Sequence, residues 1–298
     1  MRRLSIEAGP LRASCLEWGA GEPVLLLHGF PYAAIGWEAA AQGLAGQGFR
    51  VIAPELRGYG ETRFRDARTP RSGAQGALAA DLLALLDALG IERALLAGHD
   101  WGGRAACILA ALHPRRVRAL LTVGGHNIQN IAASAAPEDP AREARHWYDW
   151  YFHTPRGAVA LAGAETRRAL CRQLWRMWSP DWRFTEAEFA ASAEAWDNAD
   201  FPAVVIHSYR HRYQAVAGDP AHAALEAALA PPPAIAVPSL NVEGLTDGVS
   251  PPAPVDPHRR HFTGRYAREL WEGVGHHPGQ EAPERFAAAL ASLARSVA

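Results

Sequence analysis

The segment Ala94–Ala97 is an apolar run of strand length that leads directly into Gly98-His99-Asp100-Trp101-Gly102-Gly103. An alanine-rich helical stretch follows, from about Gly103 to Leu112, and stops before Pro114. A strand that turns this sharply into a helix strains the residue at the corner and lifts its side chain above the sheet edge. Small residues on either side relieve the clashes, and the helix N-terminus favours negative charge. Here the corner residue is Asp100. The bland reading is that Asp100 only caps the helix behind it.

Such a corner needs a buried sheet beneath it, and the chain supplies the strands. Val24–Leu27 is a second continuous apolar run, as expected for a strand buried on both faces, and it ends in His28-Gly29-Phe30-Pro31. Short strands are also expected at Arg50–Ala53 and 119–123. Leu78, Leu82, Leu85, Leu86 and Leu89 place a helix over 74–89, with Gly90 at its C-terminal cap. Strand and helix alternating at these lengths mean parallel βαβ units. The first twenty residues read as two further strands joined at Gly9-Pro10.

The rhythm breaks near residue 126. From there to 233 the pattern predicts helices over roughly 140–151, 165–178, 186–195, 199–214 and 220–229, with no buried-strand run. It resumes with strands at Ile235–Val242 and near Arg268–Trp271, then an amphipathic final helix carrying Phe286, Leu290 and Leu293 on one face. The expected organisation is an α/β core over 1–125 and 234–298 with a helical cap over 126–233. A chain of 298 residues is near the upper limit for one hydrophobic core, which suits a core with an insertion.

Charge and composition narrow the function. Lys plus Arg number 30 against 31 Asp plus Glu, which argues against a nucleic-acid partner bound by phosphate neutralisation. No apolar run is long enough to span a bilayer, and MRRLSIEAGP has no apolar stretch behind its basic pair, so a cytoplasmic protein without a membrane partner is expected. Cys15, Cys107 and Cys171 are far apart and form no CxxC pair. The 13 histidines are scattered; His207 and His211 make only half a metal site. Neither a metal nor an organic cofactor is expected.

The chemistry follows from Asp100. A carboxylate attacks an sp³ carbon to give an alkyl ester that activated water then hydrolyses. Attack on an ordinary ester would give an anhydride, so plain esterase chemistry is disfavoured. His276, in Gly275-His276-His277, lies in the loop before the final helix, where it can lean toward Asp100 as the base; His277 is its rival. Asp247, in Gly244-Leu245-Thr246-Asp247-Gly248, can accept from the other ring nitrogen. Its alternatives are an ordinary turn role and Glu243 as the acid. The backbone N–H groups of Phe30 and Trp101 would face a developing oxyanion.

The segments HGFP, RGYG, GHDWGG and G-H-x-x-x-x-E-x-P at 275–283 resemble those of α/β-hydrolases, in the branch that holds epoxide hydrolases and haloalkane or haloacetate dehalogenases. The resemblance covers essentially the whole chain. It implies a mostly parallel eight-stranded sheet flanked by helices, with an inserted cap. It also implies that two cap tyrosines hold and protonate an epoxide oxygen. Tyr148, in Tyr148-Asp149-Trp150-Tyr151-Phe152, and Tyr209, in Ser208-Tyr209-Arg210, occupy those positions; Tyr151 and Tyr213 are nearby decoys. The implied substrate is a small, apolar epoxide opened to a vicinal diol, in a pocket with His28, Pro31, Trp150, Arg104 and Trp178. His28 is expected there as a hydrogen-bonding residue rather than a second base, and the exposed face of the cap leaves room for a homodimer. The dehalogenase alternative keeps Asp100, His276 and Asp247 and holds halide on Trp101 and a cap tryptophan. A non-catalytic binding protein is the third reading. Against the family pattern stand Asp149 where many epoxide hydrolases have glutamine, Glu55 for aspartate, Trp101 where haloacetate enzymes carry arginine, and the polar pair Asn241 and Glu243 inside a strand.

Overall fold

The computed structural model describes residues 1–297. Nine strands form one sheet: β1 (Arg2–Ala8), β2 (Leu11–Trp18), β3 (Glu22–Leu27), β4 (Phe49–Pro54), β5 (Arg63–Phe64), β6 (Ala94–Gly98), β7 (Val117–Val123), β8 (Ser239–Gly244) and β9 (Tyr266–Trp271). Eight run in the order β1-β2-β4-β3-β6-β7-β8-β9, and the two-residue β5 pairs with β2 beside that path. β1, β2 and β4 pair antiparallel; every pairing from β4 to β9 is parallel. The central strands are the apolar runs of the sequence. Val24 to Leu27 and Leu95 to Ala97 are each at most 1% exposed, because helices cover both sheet faces.

The core helices are α1 (Glu38–Ala45), α2 (Gln75–Ala88) and α3 (Asp100–Leu112). Gly90, with φ of +65°, ends α2 in the left-handed region that glycine adopts without penalty. Helix α3 begins at the corner aspartate, three residues earlier than the alanine run indicates. Between β7 and β8 the cap is built from α4 (Pro140–Arg145), α5 (Trp147–His153), α6 (Pro155–Ala162), α7 (Ala164–Trp178), α8 (Glu186–Glu194), α9 (Phe201–Arg212) and α10 (Ala223–Ala228). The expected helix over 140–151 is broken at His146, which leaves helical geometry. Helix α6 was not anticipated; it starts from a Thr154 cap with Pro155 at its first position, and its short apolar stretch shows little periodicity. β8 starts at Ser239, later than the apolar run, and Ile235 instead makes an isolated bridge to Phe262. The chain ends in α11 (Pro278–Glu281) and α12 (Pro283–Arg295), whose Phe286 and Leu290 are buried on the core. Among the described residues, no helix is long and apolar enough to cross a membrane.

The corner between β6 and α3 is packed so tightly that only glycine fits. A Cβ at Gly102 would stand 2.3 Å from the Leu27 carbonyl oxygen and 2.5 Å from that of His28. Relieving this overlap means pushing α3 away from β3, at a cost of about 1–3 kcal/mol. Gly102→Ala is therefore expected to lower the melting temperature by several degrees, as read by calorimetry, whereas Gly48→Ala meets no neighbouring atom within 4 Å and loses only the benefit of its positive φ.

Candidate active site

Four loops leave the C-terminal ends of parallel strands and converge, as the geometry of open α/β sheets favours. They carry Phe30 after β3, Asp100 after β6, Asp247 after β8 and His276 after β9. Asp100 has φ of +50°, a conformation that costs a non-glycine residue about 1–3 kcal/mol. Its Oδ1 accepts the Phe30 backbone N–H at 2.9 Å, and its Oδ2 lies 3.4 Å from Arg104 Nη2. Of the two backbone groups expected at an oxyanion, Phe30 N–H reaches this carboxylate; Trp101, in the first turn of α3, makes no such bond. Gly29 is needed here, because a Cβ on it would lie 2.5 Å from the Asp100 Cβ.

His276 Nδ1 is 2.9 Å from Asp247 Oδ2. Asp247 Oδ1 accepts the backbone N–H groups of Val249 and Ser250, so the acid is fixed by its own loop. Burial pushes the His276 pKa down, but the Asp247 charge and hydrogen bond outweigh it and hold the group above its usual 6.5. Burial likewise raises Asp247, and the contact with His276 and the two N–H donors bring it below the usual range. Both rivals are engaged elsewhere. His277 is buried, accepts the Gln280 N–H, and is pushed down to about 3 chiefly by desolvation. Glu243 accepts from Asn241 and Arg268, and the Asn241 carbonyl oxygen accepts the Gly125 N–H, so the polar pair in β8 is a satisfied buried network.

Sequence reasoning did not single out the brace behind His276. Glu281 accepts the N–H groups of Gly275 and His277 and the Ser179 hydroxyl, and the Ser179 oxygen in turn accepts the His276 N–H. Glu281 was visible as the acid of the 275–283 segment; Ser179, nearly a hundred residues away, left no signal.

Asp100, Arg104, Tyr148, Asp149, Arg212, Asp247 and His276 all line one cavity of about 870 Å³. Tyr148 and Tyr209 are buried with their rings edge-on at 5.7 Å. Neither hydroxyl bonds a protein group among the described residues. Tyr209 packs against Phe30, Phe152 and Trp101. Burial, reinforced by the Asp100 charge, raises both phenols well above 10, so they are proton donors at neutral pH. The decoy Tyr213 donates to Asp149.

Several expected pocket residues stand elsewhere. Trp150 is 42% exposed and donates its indole N–H to Glu143, because the break at His146 turns it outward. His28 is fully buried below the cavity, where its Nε2 accepts the Leu56 N–H. Pro31 is a cap anchor, its carbonyl accepting the Trp175 indole N–H at 2.9 Å. Trp178 packs behind the lining, with its ring 5.0 Å from Tyr148 and 5.1 Å from His276. Arg104 lines the cavity. No group of three or more His, Cys, Asp or Glu side chains among the described residues is arranged to hold a metal ion.

Residues 22–281 match the family model described as alpha/beta hydrolase fold. The chain belongs to the α/β-hydrolase family. Within it, the chain is related to epoxide hydrolases. It is 41% identical to a candidate epoxide hydrolase from Klebsiella pneumoniae whose crystal structure superposes with a TM-score of 0.95, covering 99% of this chain and 97% of that one. It is 28% identical to epoxide hydrolase A of Mycobacterium tuberculosis over 91% of both chains. It is 35% identical to epoxide hydrolase 3 of Siraitia grosvenorii over 47% of this chain and 42% of that protein. The chain thus spans less than half the length of the first curated relatives it matches.

The electrostatics of the dyad give a direct check. In Asp247→Asn the burial of His276 is opposed only by the weaker influences of Asp100 and Glu281. Its imidazole pKa, followed by NMR, is expected to fall from above 6.5 to below it.

Proposed function

We propose that this α/β-hydrolase is an epoxide hydrolase that opens a small epoxide to a vicinal diol through a covalent ester on Asp100. The observation that carries the reading is the shared cavity: a carboxylate at a strained corner, a protonated phenol and a carboxylate-paired histidine all face one space. The helical segment 126–233 acts as the lid, and the aromatic cluster of Tyr209, Phe152 and Trp178 packed behind Tyr148 favours a substrate with an apolar body.

In this reading Tyr148 and Tyr209 hold the epoxide oxygen while an Asp100 oxygen attacks a ring carbon. The ring C–O bond breaks and the oxygen takes a phenolic proton. His276, oriented by Asp247, then removes a proton from water that attacks the carboxyl carbon. The Phe30 N–H, already on Asp100 Oδ1, stabilises the oxyanion that forms there. Collapse releases the diol and restores the carboxylate. No cofactor enters the sequence.

A halide-releasing reading has one observation in its favour. The indole N–H groups of Trp101 and Trp178 are both buried without partners. Those of Trp18, Trp37 and Trp196 are equally orphaned among the described residues, and none of the five lines the cavity, so an orphan indole does not by itself mark a halide site.

Incubation with aryl and alkyl epoxides, and separately with haloalkanes and haloacetate, decides between them. Diol formation that Asp100→Asn abolishes supports the epoxide reading. Halide release without diol sinks it, and tight ligand binding with neither product would make the chain a binding protein. In His276→Gln the ester is expected to accumulate, seen as an intact-mass increase equal to the epoxide, with its hydrolysis slowed by roughly 10²–10⁴-fold. Because the base must be neutral and its pKa lies above 6.5, ester hydrolysis in the unmodified enzyme should fall as pH drops through a value above 6.5.

A further inference from the structure

Late in the cap, Arg212 is 8% exposed, and its guanidinium carbon stands 4.0 Å from the centroid of the Tyr209 ring. One amino group, Nη1, is 3.5 Å from Asp149 Oδ2. Asp149 is itself 1% exposed, and the same oxygen accepts the Tyr213 hydroxyl at 2.9 Å. Among the described residues Arg212 Nε and Nη2 find no acceptor, and Asp149 Oδ1 finds no donor. Burying a cation with two N–H groups unbonded is expensive, and a single long ion pair does not repay it in folding energy. The stacking on Tyr209 indicates where the return lies.

We propose that Arg212, held by Asp149, is a positioning residue for ring opening that acts through Tyr209, which makes Tyr209 the phenol that gives up its proton. The inference rests on the epoxide reading. In the opening step Asp100 changes from a carboxylate to a neutral ester, and the epoxide oxygen takes the Tyr209 proton. The negative charge therefore leaves Asp100 and arrives on Tyr209. Ester hydrolysis afterwards releases one proton, which restores the phenol, so the cycle consumes only epoxide and water. Two buried arginines mark the ends of this transfer: Arg104 beside Asp100 and Arg212 over Tyr209. Burial disfavours the Tyr209 phenolate most, Arg212 is the largest influence opposing it, and Asp100 adds to the penalty until it is esterified. Arg212 also favours the Tyr148 phenolate, but there it ranks behind Asp149 and Tyr209, which disfavour it, and among the described residues no arginine is stacked on the Tyr148 ring. Asp149 pins the guanidinium in place from α5.

The test separates the two half-reactions. Single-turnover tryptophan fluorescence with styrene oxide as probe follows ester formation, and the return of signal follows ester hydrolysis. Arg212→Gln is expected to slow ester formation about tenfold or more, while hydrolysis stays within about twofold. Arg212→Lys keeps the charge and should stay within about threefold of the parent. In a Tyr209→Phe background, Arg212→Gln should add little, because the group it acts through is gone. Ester formation unchanged in Arg212→Gln, or a loss that adds in full to that of Tyr209→Phe, overturns the inference while leaving the epoxide reading intact. If Arg212→Gln does not fold, a tenfold loss in a folded Arg212→Lys overturns it equally. A parent enzyme that makes no diol from any epoxide overturns both.

Discussion

One backbone torsion, the +50° φ of Asp100, sets the terms for the whole upper edge of the sheet. It points the carboxylate out of the β6–α3 turn, and it can persist only where neighbouring structure over-determines it. Gly102 lets α3 sit against the carbonyls of Leu27 and His28, Gly29 makes room for the carboxylate, and the Phe30 N–H binds it. Apart from Gly102 itself, these partners come from β3 and the loop after it. The adjacency of β3 and β6 in the sheet, though they are seventy residues apart in the chain, is thus what allows the strained corner to exist.

Around that corner the ionised groups are matched one to one. Asp100 faces Arg104, Asp247 faces His276, and Asp149 faces Arg212. The remaining histidines close by, His99 and His277, are desolvated and held neutral. Of His99, His276 and His277, only His276 carries a carboxylate partner, and that partnership rather than mere proximity distinguishes it from the other two. In a medium of low polarity an unmatched charge would be costly, so the pairing also limits which protonation states the site can visit.

Much of this was legible in the sequence, for identifiable reasons. Strands buried on both faces leave continuous apolar runs, and sharp turns leave glycines, so β3, β6 and the Asp100 corner could be read directly. The order Asp100, Asp247, His276 followed from where strands end. What depended on a phase or a distant partner could not be read. Trp150 was expected in the pocket because residues 140–151 read as one helix; the break at His146 resets the phase and turns Tyr148, Asp149 and Phe152 inward instead. Whether His276 or His277 faces Asp247 is a matter of one torsion in a loop, decided by hydrogen bonds from Ser179 and Gln280. The tyrosine pair was found only through the family resemblance, since a buried tyrosine has no periodic signature of its own. Arg212 is silent in sequence because its partners, Asp149 and the Tyr209 ring, meet only when α5 and α9 pack.

The bonds around Ser179 have a mechanical side. Ser179 ends α7 of the cap, yet it holds the backbone of His276 and the carboxylate that braces it. The Trp178 carbonyl accepts the N–H of Gly248, next to Asp247, and Trp175 is tied to Pro31. The lid is therefore riveted to the floor at the corner where the base and its acid sit. At the opposite end Gln129 is tied to Gln75 of α2 by two hydrogen bonds, but the margin from Asn130 to His146, a wall of the cavity facing Pro251 and His258, makes no hydrogen bond to the core among the described residues. A lid fastened in this way leaves its free margin the part least constrained by the core, while the His276–Asp247 pair is held from both the sheet and the cap.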